Sequence, residues 1–229
     1  MTQSTTTTST SRAAGANCDP ASAVTRSLLG YGVIAGPLYV AVALAQALTR
    51  EGFDLTRHQW SMLANGGPGW IQIANFVITG LMVTAFAIGM RRGMVGGPGA
   101  RWAPRLIAVY GASLIAAGIF RADPALGFPA GTPDGPGSVS WHGLLHFAAG
   151  GVGFTALAAA CIVMARRFGA AGSRGWAVFS MVTGVVFLTG FAMIASSVGS
   201  PTATLLFTGA VLLVWTWISA VALHLYRRV

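Results

Sequence analysis

Two short stretches of the sequence hold nearly all the side chains able to do chemistry. The first carries Asp54, Arg57, His58 and Ser61, followed by Asn65-Gly66-Gly67-Pro68-Gly69-Trp70. The second carries Asp123-Pro124 and, after a Gly/Pro-rich stretch, Trp141-His142-Gly143 and His146. His142 and His146 are four residues apart, so on a helix both imidazoles project from one face. Two imidazoles at that spacing grip zinc in some helices, although HxxxH alone is a common pattern. The positive end of a helix beginning near Trp141 disfavours an imidazolium there, which leaves neutral rings fit to be ligands or bases. With His58 they would form a three-histidine site for a divalent metal such as zinc. Asp54 or Asp123 would then orient the histidines or act as base on a metal-activated water. The alternative is a hydrogen-bonded structural pair at a wet helix end.

Gln72, Asn75 and Thr79 follow the first stretch at spacings of three and four, one face of the next helix. Amides in hydrocarbon must find partners, so this face points into a bundle, as glue between helices or as the floor of a pocket. An arginine at a desolvated site needs a carboxylate, which pairs Arg57 with Asp123 or Asp54. Asp54, Arg57, His58, Ser61, Gln72, Asn75, Asp123, His142 and His146 are therefore the candidate ligand-binding set, expected to converge in one pocket.

The elements that must position them are legible from composition. Of 229 residues, 54% are hydrophobic and 8% charged, against about 25% charged in ordinary soluble domains. Apolar runs reach roughly 20 residues, the length a helix needs to cross about 30 Å of hydrocarbon. The chain is read as an all-α bundle with six transmembrane helices near Leu28–Thr49, Trp70–Met90, Arg105–Phe120, Trp141–Ala165, Trp176–Ala195 and Thr202–Leu225. Together these make one domain over 28–229. Pro37 predicts a kink in the first span. Residues 1–27, rich in Thr, Ser and Ala, read as a disordered tail with too little apolar surface to order. Leu55, Met62, Leu63 and Trp60 fit a short amphipathic helix on the membrane surface, with Trp60 and Trp70 as interface anchors. Trp215 and Trp217 read as lipid-facing or packing residues. Cys161 reads as an inert apolar residue, and with Cys18 it forms no disulfide framework.

All 14 basic residues are arginines. They cluster at helix ends rather than on one face, which excludes a nucleic-acid surface. With both termini cytoplasmic, eleven arginines lie inside and only Arg50, Arg57 and Arg121 outside, as the positive-inside rule favours. Four of the five acids and three of the four histidines then share the outer side of a cell membrane. The absence of lysine, with abundant Ala and Gly, points to a GC-rich bacterial genome.

Both outer motifs resemble the bacterial membrane family called domain of unknown function 998. The resemblance runs through Asp54, Arg57, His58, Ser61, Leu63, Asn65, Gly66, Gly69, Trp70, Gln72, Asn75 and Phe76, then Asp123-Pro124 and His142-Gly143 with His146. It covers Leu28 onward and implies a multi-helix membrane protein with no assigned activity. The arrangement is also similar to membrane metal-hydrolases of the alkaline ceramidase and progestin-receptor kind, which combine three His, an Asp and a Ser at an embedded zinc. This chain offers His58, His142, His146, Asp54 or Asp123, and Ser61, but six spans rather than seven and an HxxxH in a different helix. Three functions follow as expectations: an outward-facing polar pocket for a small polar or lipid-derived ligand, a metal-dependent hydrolase acting on lipids, or a structural or assembly protein whose motifs only lock loops.

Overall fold

The computed structural model describes residues 19–229. The expectations for the tail residues 1–18, including Arg12 and Cys18, lie outside the described residues. The rest form six helices: α1 (Pro20–Thr49), α2 (Gly69–Gly93), α3 (Trp102–Ile119), α4 (Trp141–Ala170), α5 (Arg174–Ser196) and α6 (Pro201–Tyr226). All six are long and apolar enough to cross a membrane.

α1 starts eight residues before the expected Leu28. Its start signal is chemical rather than apolar. The Asp19 carboxylate accepts from the Ala21 and Ser22 N–H groups at 3.2 Å each, and Pro20 supplies a preset φ in the first turn. The helix then runs unbroken through Pro37 to Thr49. Ser140 caps α4 through Gly143 N–H at 3.1 Å, and Ser200 caps α6 ahead of Pro201. α3, the shortest at 18 residues, spans about 27 Å at 1.5 Å per residue.

Each helix packs on its sequence neighbours, and α6 returns to pack on α1, so the six close into a ring. A glycine sits at every seam. Gly32 and Gly89 serve α1–α2, Gly80 and Gly111 α2–α3, Gly153 α3–α4, Gly184 α4–α5, Gly190 α5–α6 and Gly36 α6–α1. Without a hydrophobic force between helices in lipid, such close backbone approach supplies the packing attraction. Gly153 faces the Ser113 side chain, where a Cβ would not fit. α1 starts and α2 and α6 end at one end of the ring, where the Arg92 Nε–H of α2 donates to Thr25 Oγ1 of α1 at 3.1 Å. The long connections 50–68 and 120–140 lie at the other end, here called the loop end.

The helix expected on the membrane surface is instead a 3₁₀ turn, Trp60–Ala64. Its Trp60, Met62, Leu63 and Ala64 are buried, so it plugs the ring rather than lying on lipid. Trp60 is therefore core rather than an interface residue, whereas Trp70 and Trp141 are 67% and 64% exposed beside the same end. Trp215 and Trp217 are packing residues, and Trp217 donates its indole N–H to Ser180 Oγ at 2.9 Å.

Candidate functional site

The candidate residues divide into three groups rather than one pocket. The first is a lock between the two long connections. His58 is buried, and both ring nitrogens are engaged. The Asp54 backbone N–H donates to Nδ1 at 2.9 Å, so the hydrogen sits on Nε2, which donates to the Leu126 carbonyl at 3.0 Å. That contact steadies Leu126, held at φ +57, a strained backbone for a residue other than glycine. Arg50 completes the lock. It donates to the carbonyls of Leu63 at 2.5 Å and Asn65 at 2.6 Å, and its guanidinium lies 4.8 Å from the centre of the buried Phe128 ring. Gly66 ends the 3₁₀ turn with φ +75, a conformation open to glycine.

Electrostatics in the lock differ from the expected pairing. Arg57 meets Asp134 at 3.4 Å, both side chains largely solvated, rather than Asp54 or Asp123. Asp54 is occupied locally. The Thr56 hydroxyl and N–H hold its carboxyl below the usual carboxylate range. Asp123 serves α4: its oxygens accept from Ser140 N–H at 2.8 Å and Ser140 Oγ at 2.5 Å. A Cβ on Gly143 would fall on that carboxylate, which explains glycine beside His142.

The second group is a clasp inside the bundle. Gln72 Oε1 accepts from Gln46 Nε2 at 2.9 Å and Asn75 Nδ2 at 3.3 Å, while Asn75 Nδ2 also donates to the Tyr39 carbonyl at 3.1 Å. Gln72 and Asn75 tie α2 to α1 and do not line a cavity. Gln46 lies outside the nine candidate residues. Its signal is its position as the lone amide within α1.

The third group lines a cavity of about 460 Å³ at the heart of the ring. Every helix contributes, through Tyr39, Phe76, Tyr110, His146, Phe187 and Trp215, and the loop end adds Gln59, Ser61 and Asp123. Its deeper wall is aromatic: Phe154 lies 5.0 Å from both Phe187 and Phe191, and Tyr39 stacks on Trp215 at 4.7 Å. Composition alone does not reveal this cavity, because its walls read as ordinary core. The Phe/Trp residues on α4, α5 and α6 were the available signal.

His146 links cavity and frame. Its Nδ1 meets the carbonyls of Phe120 at 2.8 Å and Ala117 at 3.2 Å, two acceptors at the end of α3. Nδ1 is therefore the donor, and in the neutral ring Nε2 carries a lone pair with no protein partner. His142 turns instead against Trp141, ring centres 3.7 Å apart, and its Nδ1 is buried without a partner. His58, His142 and His146 thus fail to assemble as a metal site. Among the described residues no three His, Cys, Asp or Glu side chains gather to hold a metal, and His58 has no lone pair left to give. Of the nine candidates, Ser61, Asp123 and His146 alone share the cavity.

No curated protein and no solved structure matches the chain. A family model described as protein of unknown function (DUF998) matches residues 33–224. That match covers all of α2 to α5 and most of α1 and α6, so the locked loops, the clasp and the cavity all fall within it. This integral membrane protein belongs to the DUF998 family.

Proposed function

We propose that this protein is a binder of a lipid-derived amphiphile, which it holds in the cavity inside the helix ring. The carrying observation is the polarity of the walls. Gln59, Ser61, Asp123 and His146 gather at the loop end, and phenylalanines form the deeper wall. Ligand sites commonly run from about 300 to 1,000 Å³ and are mostly apolar with a few convergent polar groups, which this cavity matches. Its rim supports a ligand that arrives from the membrane. Leu144, Phe147 and Val198 line the cavity and are also 60%, 53% and 62% exposed. The first turns of α4, residues 141–152, include no buried residue, so this wall is loosely covered.

With both termini cytoplasmic, the loop end would face away from the cytoplasm of a bacterial cell, in keeping with the arginine distribution. A cysteine placed at Gly67, an open loop position, would then react with an impermeant maleimide from outside intact cells, and one at Gly172 would not. The reverse labelling would place the site on the inner face.

Gly150→Phe tests the binding itself. A Cβ at Gly150 meets only Phe154, at 3.8 Å, so a larger side chain there enters the cavity without striking backbone. Lipid mass spectrometry on gently extracted wild-type protein is expected to show a retained amphiphile that the variant lacks. Identical lipid profiles for the two proteins would refute the reading.

A further inference from the structure

The geometry points to a headgroup that donates hydrogen bonds, such as a hydroxyl or an ammonium, and away from phosphate or carboxylate. This inference rests on the cavity being the ligand site, and it names which amphiphile the site would take. Among the described residues that line the cavity, Asp123 alone bears a full charge, and it is negative. His146 lines the same space, and with Nδ1 spent on the end of α3 its Nε2 keeps a lone pair with no protein partner. Ser61 adds a hydroxyl without a partner among the protein's own hydrogen bonds. Gln59 and the unpartnered Trp60 indole N–H add neutral donors, but this end holds no cation and its one full charge is negative.

Two features of the fold make that shortage of positive charge structural. The three arginines nearest this end do not reach the cavity. Arg50 is bound to the carbonyls of Leu63 and Asn65, Arg57 pairs with Asp134, and Arg121 lies exposed on the surface. The other natural anion site is the positive N-terminus of α4. There the Asp123 carboxylate already accepts from Ser140 N–H and lies against Gly143. An incoming phosphate would meet an occupied position and a like charge, and a buried anion without partners is strongly disfavoured. A glycerol hydroxyl or an ammonium would instead find Asp123, His146 and Ser61 as acceptors.

The test uses full-length protein in phosphatidylcholine nanodiscs and four probes with one common chain: monolauroylglycerol, laurylamine, laurate and lauryl phosphate. Each competes against a fluorescent monoacylglycerol, with Gly150→Phe defining binding inside the cavity. The glycerol and amine probes are expected to bind about tenfold more tightly than the two anions, or better. Equal or tighter binding of the anions, abolished by Gly150→Phe, would overturn the headgroup assignment and leave the cavity as the ligand site. Binding that Gly150→Phe does not alter would overturn both. Ser61→Lys gives an independent arm: a cation placed beside Asp123 and His146 should raise laurate affinity relative to laurylamine. An unchanged order in a folded Ser61→Lys protein would also count against the assignment.

Discussion

His58 and His146 stand at the same end of the helix ring, and both are held by backbone groups, yet one is closed and the other open. The His58 ring spends its donor on Leu126 and its acceptor on Asp54. The His146 ring spends only its donor, on the end of α3. What separates the two imidazoles here is the hydrogen-bonding capacity left over. Residue type and depth do not decide it, since His58 is the more buried of the two.

The sharpest way to break this contrast is to cut the lock at Arg50. Arg50→Met removes two charge-assisted bonds to buried carbonyls and is expected to cost about 3 kcal/mol or more, read as a fall in melting temperature. An unchanged melting temperature would mean that the 3₁₀ turn is held by its apolar side chains alone. The histidines should then part company. His58→Ala is expected to cost about 2–3 kcal/mol, because it orphans the Asp54 N–H and the Leu126 carbonyl, while amphiphile affinity in the folded protein stays close to wild type. His146→Ala loses a cap at α3 worth about 1 kcal/mol and should weaken binding about tenfold. If His58→Ala were the variant that lost ligand, the division into lock and cavity would be wrong.

A pair of glycine substitutions sharpens the comparison within one helix. Gly→Ala in a helix interior ordinarily gains roughly 0.5–1 kcal/mol. Gly150→Ala, whose Cβ meets only Phe154 at an ordinary 3.8 Å, should follow that rule. Gly143→Ala should reverse it and cost about 1 kcal/mol, since its Cβ would press on Asp123. The same sign at both positions would show that the Asp123 carboxylate moves freely. The smallest effect concerns pH. The Asp54 carboxyl is held below its usual range by the Thr56 hydroxyl and N–H. Its contribution is therefore complete above the ordinary aspartate value of about 3.9 and is lost as pH falls through the depressed one. Because Asp54 is exposed, Asp54→Asn should shift acid stability by less than about 1 kcal/mol.

The six helices were legible because bilayer thickness dictates run length, and nothing else in the sequence competes with that signal. Their ends were less so. α1 begins at the polar pair Asp19-Pro20, ahead of the apolar run that marks its core, and α4 continues through Arg166 and Arg167 to Ala170. Grouping the His and Asp motifs at one end was sound, and treating them as a single pocket was not. The reason is that backbone carbonyls, invisible in a sequence, claim many of the side chains. Leu126 takes His58, Leu63 and Asn65 take Arg50, and Tyr39 takes Asn75. Ser61, Asp123 and His146 line the cavity, and spacing alone could not single them out.

Ring closure has a consequence for how the protein is made. The groove around Gly36 is completed only by Ser219 and the Trp215 carbonyl of α6, and no covalent connection crosses that seam. During synthesis α1 must wait in the bilayer, flank uncovered, while the five later helices are threaded. The chamber acquires its Trp215 wall only once α6 is in place. A nascent chain stalled before α6 would present a cleft rather than a closed ring.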